Sequence, residues 1–290
     1  MKKLIIACCA ILKGLAGQSC TDQCATKKDS TCKMNVASFN LRCDVKADSL
    51  NAWPHRKEYV KNLIRFYDFD MFGTQEGFKH QIDGICELEG YTYIGGGRED
   101  GKDKGEHAAI IYKKDRFDLL DKGDFWFSET PEVPGLGWDA KCCFRICSWG
   151  KFRDKETGKE FVFINSHFDH EGVVARRESS KLLLSRIRQI AGENMTVFAT
   201  GDFNAVPDDE PIVTLASDGL LLDSYKISKE PPFGTVGTYN GWSATMERDV
   251  RIDYIWVTKD VTVEKYGVLN VVQYGRTPSD HFPIMSKVSF

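Results

Sequence analysis

Thr196-Val197-Phe198-Ala199-Thr200-Gly201-Asp202-Phe203-Asn204 runs from an apolar stretch directly into a turn carrying a carboxylate and a carboxamide. Short β-branched and aromatic runs closed by Gly, Asp or Asn read as strands, so Asp202 and Asn204 fall on the loop that leaves a buried strand. A plain Asp/Asn turn is the competing reading of this stretch taken alone. Working outward, the same arrangement recurs. Strand-like segments are read at 34–41, 91–95, 107–112, 117–127, 142–152, 160–167, 196–202, 253–257, 261–272 and 283–290. Helical periodicity is read at 56–66, with Val60, Leu63 and Ile64 on one face, at 79–88, and at 174–190, where Leu183, Ile187 and Ile190 share a stripe. Many strands and few helices, without a repeat of fixed period, point to one continuous α/β domain over 34–290, with two sheets face to face and helices outside.

The polar residues sit at the ends of these segments. Asn40, Glu76, His167, Asp202, Asn204, Asp253, Asp280 and His281 all follow or flank apolar runs, and loops held by a rigid scaffold are where active sites are commonly built. Phosphoester hydrolysis needs an activated water, which a carboxylate orients while an amide donor holds a phosphoryl oxygen. Thr74-Gln75-Glu76-Gly77 closes the apolar Met71-Phe72 segment; a carboxylate there suits a hard cation such as Mg²⁺, or caps the helix that follows. Arg251-Ile252-Asp253-Tyr254-Ile255 puts an acid at the start of an apolar strand, where an unpaired carboxylate is costly to bury. A histidine partner removes that cost and fixes the imidazole's tautomer and charge.

Taken in order, Phe39-Asn40-Leu41-Arg42, Gly73-Thr74-Gln75-Glu76, Gly105-Glu106, Asn165-Ser166-His167, Gly201-Asp202-Phe203-Asn204, Arg251-Ile252-Asp253-Tyr254-Ile255 and Ser279-Asp280-His281 resemble the motif set of the deoxyribonuclease I-like endonuclease/exonuclease/phosphatase superfamily, over essentially all of residues 34–290. The resemblance implies a four-layer α/β sandwich, two facing, mainly antiparallel β-sheets flanked by helices, with the site at one sheet edge. It also implies hydrolysis of a phosphodiester or phosphomonoester by water attack, dependent on Mg²⁺ with Mn²⁺ able to substitute. By that resemblance Glu76 is the principal metal ligand, with Asn40 and Asp280 nearby. Asp202 positions or deprotonates the water or protonates the leaving oxygen, and Asn204 holds the phosphate. Asp253 orients His281, which contacts the scissile phosphate, and Glu106 pairs with His167. The abasic-site nucleases of the family place an aspartate two residues after the first-strand asparagine, where this chain has Arg42, so abasic-site repair is not expected. A non-catalytic binding module on the same fold would be expected to lose acids or histidines, and every central position is filled. Arg42, Asp169, His170 and Arg177 are further candidates for touching substrate, with a surface charge on a helix as the plainer reading of Arg177.

The chain of 290 residues is 42% hydrophobic and 28% charged, an ordinary globular balance with enough length for a large core. Lys2 and Lys3 precede an apolar run from residue 4 to 12, followed by small residues, which reads as an export signal over 1–19. The run is far shorter than the ~20 residues needed to span a bilayer. Cys20 follows a degraded lipobox-like stretch, so the expected location is periplasmic, secreted or lipid-anchored. Residues 20–33 read as a polar linker holding Cys20, Cys24 and Cys32, while Cys142, Cys143 and Cys147 lie in a strand-like run and read as buried thiols. Removing residues 1–19 takes three lysines and no acids, which moves the net charge from −3 to −6. Long nucleic acid is bound through phosphates by a basic stripe, which this sequence lacks. The expected partner is therefore a small phosphoester or a strand end rather than a duplex interior, and no stable protein partner is implied.

Overall fold

The computed structural model describes residues 1, 31–192, 194–245 and 249–290; the expected export signal and most of the expected linker lie outside the described residues. Twelve strands are described: β1 (Lys33–Asn40), β2 (Met71–Gln75), β3 (Tyr91–Ile94), β4 (Ile110–Lys113), β5 (Phe117–Trp126), β6 (Ile146–Asp154), β7 (Glu160–His167), β8 (Thr196–Asp202), β9 (Leu222–Asp223), β10 (Asp253–Val257), β11 (Thr262–Val268) and β12 (Ile284–Ser289). The helices are α1 (Trp53–Tyr67), α2 (Lys79–Ile85), α3 (Val173–Ala191), α4 (Glu210–Ser217) and α5 (Ser224–Ile227), with a 3-10 helix at Lys46–Asn51. The strands form two six-stranded sheets in the orders β11-β12-β1-β2-β4-β3 and β5-β6-β7-β8-β10-β9. Pairing is antiparallel except for β1 with β2 and β7 with β8.

Period-2 alternation in the central strands builds the layers. Met34, Val36, Met71, Ile110, Phe161, Phe163, Phe198 and Ile255 meet between the two sheets in one buried cluster. The alternate residues Ala37, Phe39 and Phe72 pack on Val60, Leu63 and Ile64 of α1 and on Ile82 and Ile85 of α2. On the other sheet Val162, Ile164, Val197 and Ala199 pack on Leu183, Leu184 and Ile187 of α3 and Ile212 and Leu215 of α4. The result is the expected four-layer sandwich. Among the described residues no helix is long and apolar enough to cross a membrane.

Several expectations need correction. Strand β2 was legible only as an apolar Met71-Phe72 segment, because its buried sequence MFGTQ carries Gly, Thr and Gln rather than branched residues. Strand β6 begins at Ile146 instead of residue 142: Cys142 is exposed and Cys143 half-buried in the preceding loop, and only Cys147 is the buried thiol expected. Cys32, read as linker, is buried and exchanges backbone hydrogen bonds with Phe290 (3.0 Å each), so packed structure starts before Met34. Strand β11 stops at Val268, short of the expected 272, and α4, α5 and β9 were not anticipated.

Candidate active site

The inter-sheet face changes from apolar to polar at one end of every central strand. On β1 the inward series Met34, Val36 continues as Ser38 and Asn40; on β7, Phe161 and Phe163 continue as Asn165 and His167; on β8, Phe198 continues as Thr200 and Asp202. Register places Asp253 opposite Asp202 and His167 opposite Asp202. Beneath the site lies a buried polar layer. The Gln75 amide donates to Ser38 Oγ (3.1 Å) and Asn165 Oδ1 (2.7 Å), Thr200 Oγ1 donates to the same oxygen (3.1 Å), and Asn165 Nδ2 donates to the Thr74 and Ala109 carbonyls (2.8 and 3.0 Å). Gly73 permits that approach, since a Cβ there would lie 2.1 Å from Asn165 Oδ1. Among the described residues, Gln75 Oε1 is the one atom of this layer left buried without a partner; the other bonds hold the strand ends in fixed register.

Above this layer opens a cleft of about 360 Å³, lined among others by Arg42, Glu76, Glu106, His167, His170, Asp202, Asn204, Asp280 and His281. Three of its side chains sit on backbone that non-glycine residues rarely adopt: Arg42 (φ 54°), Glu76 (φ 62°) and Asn204 (φ 46°). Such strain of roughly 1–3 kcal/mol each is kept where surrounding structure over-determines it, and it clusters at functional sites. Buried Arg56 of α1 helps: its Nη1 donates to the Leu41 and Pro278 carbonyls (2.9 and 2.8 Å), tying the loop after β1 to the Asp280 loop.

Asn40 Nδ2 donates to Glu76 Oε1 and Asp202 Oδ2, both at 3.0 Å, so its amide nitrogen rather than its oxygen faces the carboxylates. Its Oδ1 accepts from Arg42 N. Glu76, Asp202 and His281 each present a donor atom within 4.8 Å of the others. His281 Nδ1 is 2.8 Å from Asp253 Oδ2, the contact expected from the sequence. Burial works against charge on His281, but Asp253, Asp202 and Asp280 outweigh it and push its pKa well above the ordinary value. An imidazolium has no lone pair for a cation, which leaves the oxygen atoms of Glu76, Asp202 and Asp280. Burial would raise Glu76, yet His281, Asn40, the Cys43 N–H and Arg42 together hold it below its ordinary pKa. Burial first, and then Asp253, raise Asp202 to about 7. Burial likewise raises Asp280. Arg42 stands 3.9 Å from both Glu76 and Asp280, and the clustered carboxylate oxygens of this set fit a hard divalent cation.

On the opposite wall the expected Glu106–His167 pair is not hydrogen bonded: Oε2 and Nδ1 are 3.9 Å apart, and Glu106 instead accepts from Arg98 Nη1 at 2.6 Å. Burial is the main reason Glu106 rises to about 7. His167 meets Arg145 Nη1 at 3.1 Å, and burial followed by the Arg145 charge holds its pKa well below normal, so it is neutral. Arg145 Nη2 donates to His170 Nδ1 (2.7 Å), and its Nε stands 3.6 Å from buried Asp169. Asp169 does not line the cleft; it accepts from the Glu171 and Gly172 backbone and stands behind Arg145. Asn204 Nδ2 is engaged by the Phe168 carbonyl (3.0 Å). Arg177 does not reach the cleft: its Nε is bonded to Glu178 (2.8 Å) on the outer surface of α3. Arg98, Arg145, Cys43 and Tyr239 also line the cleft and are not among the site residues read from the sequence; the Tyr239 ring stands edge-on to His281 at 5.1 Å. Nothing local marks these residues, which reach the cleft from loops and neighbouring strands.

The model of the endonuclease/exonuclease/phosphatase family matches residues 37–281, and the chain belongs to that family. Family members are hydrolases acting on phosphoesters. Among solved structures, the chain is similar to a mannosyl-6-phosphatase of Bacteroides thetaiotaomicron, with 44% identity, coverage of 89% of this chain and 100% of that one, and a TM-score of 0.85. It is also similar to an endonuclease/exonuclease/phosphatase family protein of the same organism, at 43% identity, 90% and 96% coverage and a TM-score of 0.87. An uncharacterized protein of Acanthamoeba polyphaga mimivirus is 29% identical over 185 residues, covering 61% of this chain and 65% of that protein. The chain spans less than two thirds of the length of the first curated relatives it matches, 65% and 29% for two mimivirus proteins.

Proposed function

We propose that the chain is a divalent-metal-dependent phosphomonoesterase acting on a small phosphorylated molecule of the sugar phosphate class. One observation carries the reading: an acidic cluster around Glu76, Asp202 and His281 faces, across a cleft of about 360 Å³, a cationic wall made by Arg98 and Arg145. A cleft of that size suits one small substrate. The 44% identity to a mannosyl-6-phosphatase supports it, as does the absence of a basic stripe in the sequence.

A Mg²⁺ or Mn²⁺ ion held by Glu76 and Asp280, with the Asn40 amide fixing Glu76 by a hydrogen bond, would neutralise charge on the phosphoryl oxygens when bound. Held protonated by Asp253, His281 donates from Nε2 to a phosphoryl oxygen and stabilises its developing charge. Asp202, with its pKa near 7, accepts a proton from the attacking water at neutral pH or returns one to the leaving oxygen. Arg145 and neutral His167 offer donors to the phosphate from the other side, and buried Asp169 keeps the guanidinium aimed.

The test is kcat/KM for hexose phosphates, nucleotides, single-stranded oligonucleotides and supercoiled plasmid with Mg²⁺ or Mn²⁺, at about 50 and 200 mM salt. Turnover of small phosphomonoesters with a shallow salt slope supports the reading. Undiminished activity in EDTA, or fast plasmid nicking with a steep slope, would overturn it. Export through residues 1–19 belongs to the same proposal; recovery of the expressed chain in the cytosolic fraction only would remove that part.

A further inference from the structure

Cys142, His170 and Glu171 form a second group of donors, apart from the hydrolytic cluster. Cys142 lies in the loop before β6, and His170 and Glu171 lie in the loop after β7. Their donor atoms all fall within 4.8 Å of one another, one of two such groups among the described residues, and all three residues are exposed. Cys143 Sγ is in contact with Cys142 Sγ, so a second sulfur is within reach. Sulfur and imidazole with one carboxylate suit Zn²⁺, in contrast to the oxygen-only set around Glu76.

This group is wired to the cleft. His170 Nδ1 accepts the Arg145 Nη2 hydrogen bond, and Arg145 Nη1 reaches His167 in the cleft. A neutral imidazole has one lone pair. A cation at Nδ1 takes the lone pair that Arg145 uses; a cation at Nε2 moves the ring proton to Nδ1, which then cannot accept from Arg145. By either nitrogen, metal binding and the Arg145–His170 bond exclude one another.

We propose that Cys142, His170 and Glu171, with Cys143 beside them, bind Zn²⁺ at the rim of the cleft, and that occupancy releases Arg145 and so changes substrate binding. Loading exchanges the Cys142 S–H bond for an S–Zn bond, and the proton passes to solvent. The binding half stands on the donor geometry alone, while the coupling half rests on the phosphoesterase reading.

Metal-stripped, reduced whole chain is titrated with Co²⁺ as a spectroscopic probe, read by the thiolate-to-cobalt absorption band. Cys43 lines the hydrolytic cleft, so Cys43→Ser and Glu76→Gln serve as controls and are expected to keep the band. Cys142→Ser should weaken the band severalfold and the Cys142→Ser, Cys143→Ser double variant should abolish it, and Glu171→Gln should weaken affinity about tenfold or more, the loss that even outer-shell changes bring. In the Mg²⁺-supported assay, equimolar Zn²⁺ should shift KM in the wild type and leave it unshifted in the double variant. No band in the wild type, an unaltered band in Cys142→Ser, or alkylation mapping that finds Cys142 and Cys143 already joined in the protein purified without reductant would overturn the site. A band that behaves as expected with a KM indifferent to Zn²⁺ would overturn the coupling. Failure to hydrolyse any phosphoester would strike the functional reading and leave the cobalt result standing.

Discussion

At the start of β2, Asp70 accepts from Asn35 N (2.8 Å) and Lys113 Nζ (2.7 Å) and faces Arg116 at 3.0 Å, while Arg116 Nε also bonds buried Asp154 (2.9 Å). Asp154 accepts further from the backbone of Glu156 and Thr157 and from the Thr157 hydroxyl. Burial would raise Asp154, but Arg116 and Thr157 outweigh it and hold its pKa below normal. At the other end of the same strand, Glu76 stands with Asp202 and Asp280, and two of these three carboxylates are raised. Both clusters bury charge between the sheets. One closes its own account of charges and hydrogen bonds, which is what a structural site requires. The other is left with converging acids and strained backbone, an arrangement kept in place by the packed network below and completed by a ligand.

If that contrast is right, mutations in the two clusters should separate activity from stability. The largest effect is expected for Asp202→Asn: a fall in kcat of about 10²–10⁴-fold, the range for losing a positioned acid or base, with a melting temperature unchanged or raised because a crowded carboxylate is gone. A fall in melting temperature accompanying the loss would show Asp202 to be structural. Next, His281→Ala and Asp253→Asn should each lower kcat by about 10²-fold or more, and the double mutant should lose far less than their product, since groups acting as one unit are non-additive. Fully multiplicative losses would mean that Asp253 does not orient His281.

At the opposite end, Asp154→Asn leaves Arg116 with Asp70 as its charged partner and the Lys33 carbonyl as acceptor, and a loss of about 3 kcal/mol in unfolding free energy is expected, the low end for breaking a buried pair. Its kcat at a permissive temperature should match the wild type; denaturant melts and steady-state kinetics decide. A smaller effect concerns pH. A carboxyl whose folded pKa lies above its unfolded value binds more protons when native, so its contribution to stability falls as pH rises from about 4 to about 7. His167, held neutral, acts in the other direction below its ordinary pKa, so the measurement is a difference. In EDTA, Asp202→Asn should gain in melting temperature relative to the wild type as pH rises through that window, and Mg²⁺ should shrink the gap. A gap independent of pH would contradict the raised carboxyl. The smallest effect is Arg177→Ala, whose guanidinium is turned to Glu178; it should change kcat/KM by less than about twofold, within the range of surface changes.

Asn40, His167 and Asp202 were legible because each ends an apolar strand and Asp253 because it opens one, and strand alternation is a local property; His281, on no strand, was legible only within the ordered set of motifs. A residue two places past a buried Phe or Val on the same strand points into the same space whatever the rest of the chain does. The ordered set of such interruptions was enough to place the family and the sandwich. Tertiary structure alone decided the rest. It set Arg145 in the wall of the cleft, where it joins His167 to His170. It turned Arg177 outward, broke the expected Glu106–His167 bond in favour of Arg98, and brought Cys142 to His170. These are relations between loops and strand ends far apart in the chain. Which of them meet is set by how two sheets and their helices pack, and no local periodicity carries that information.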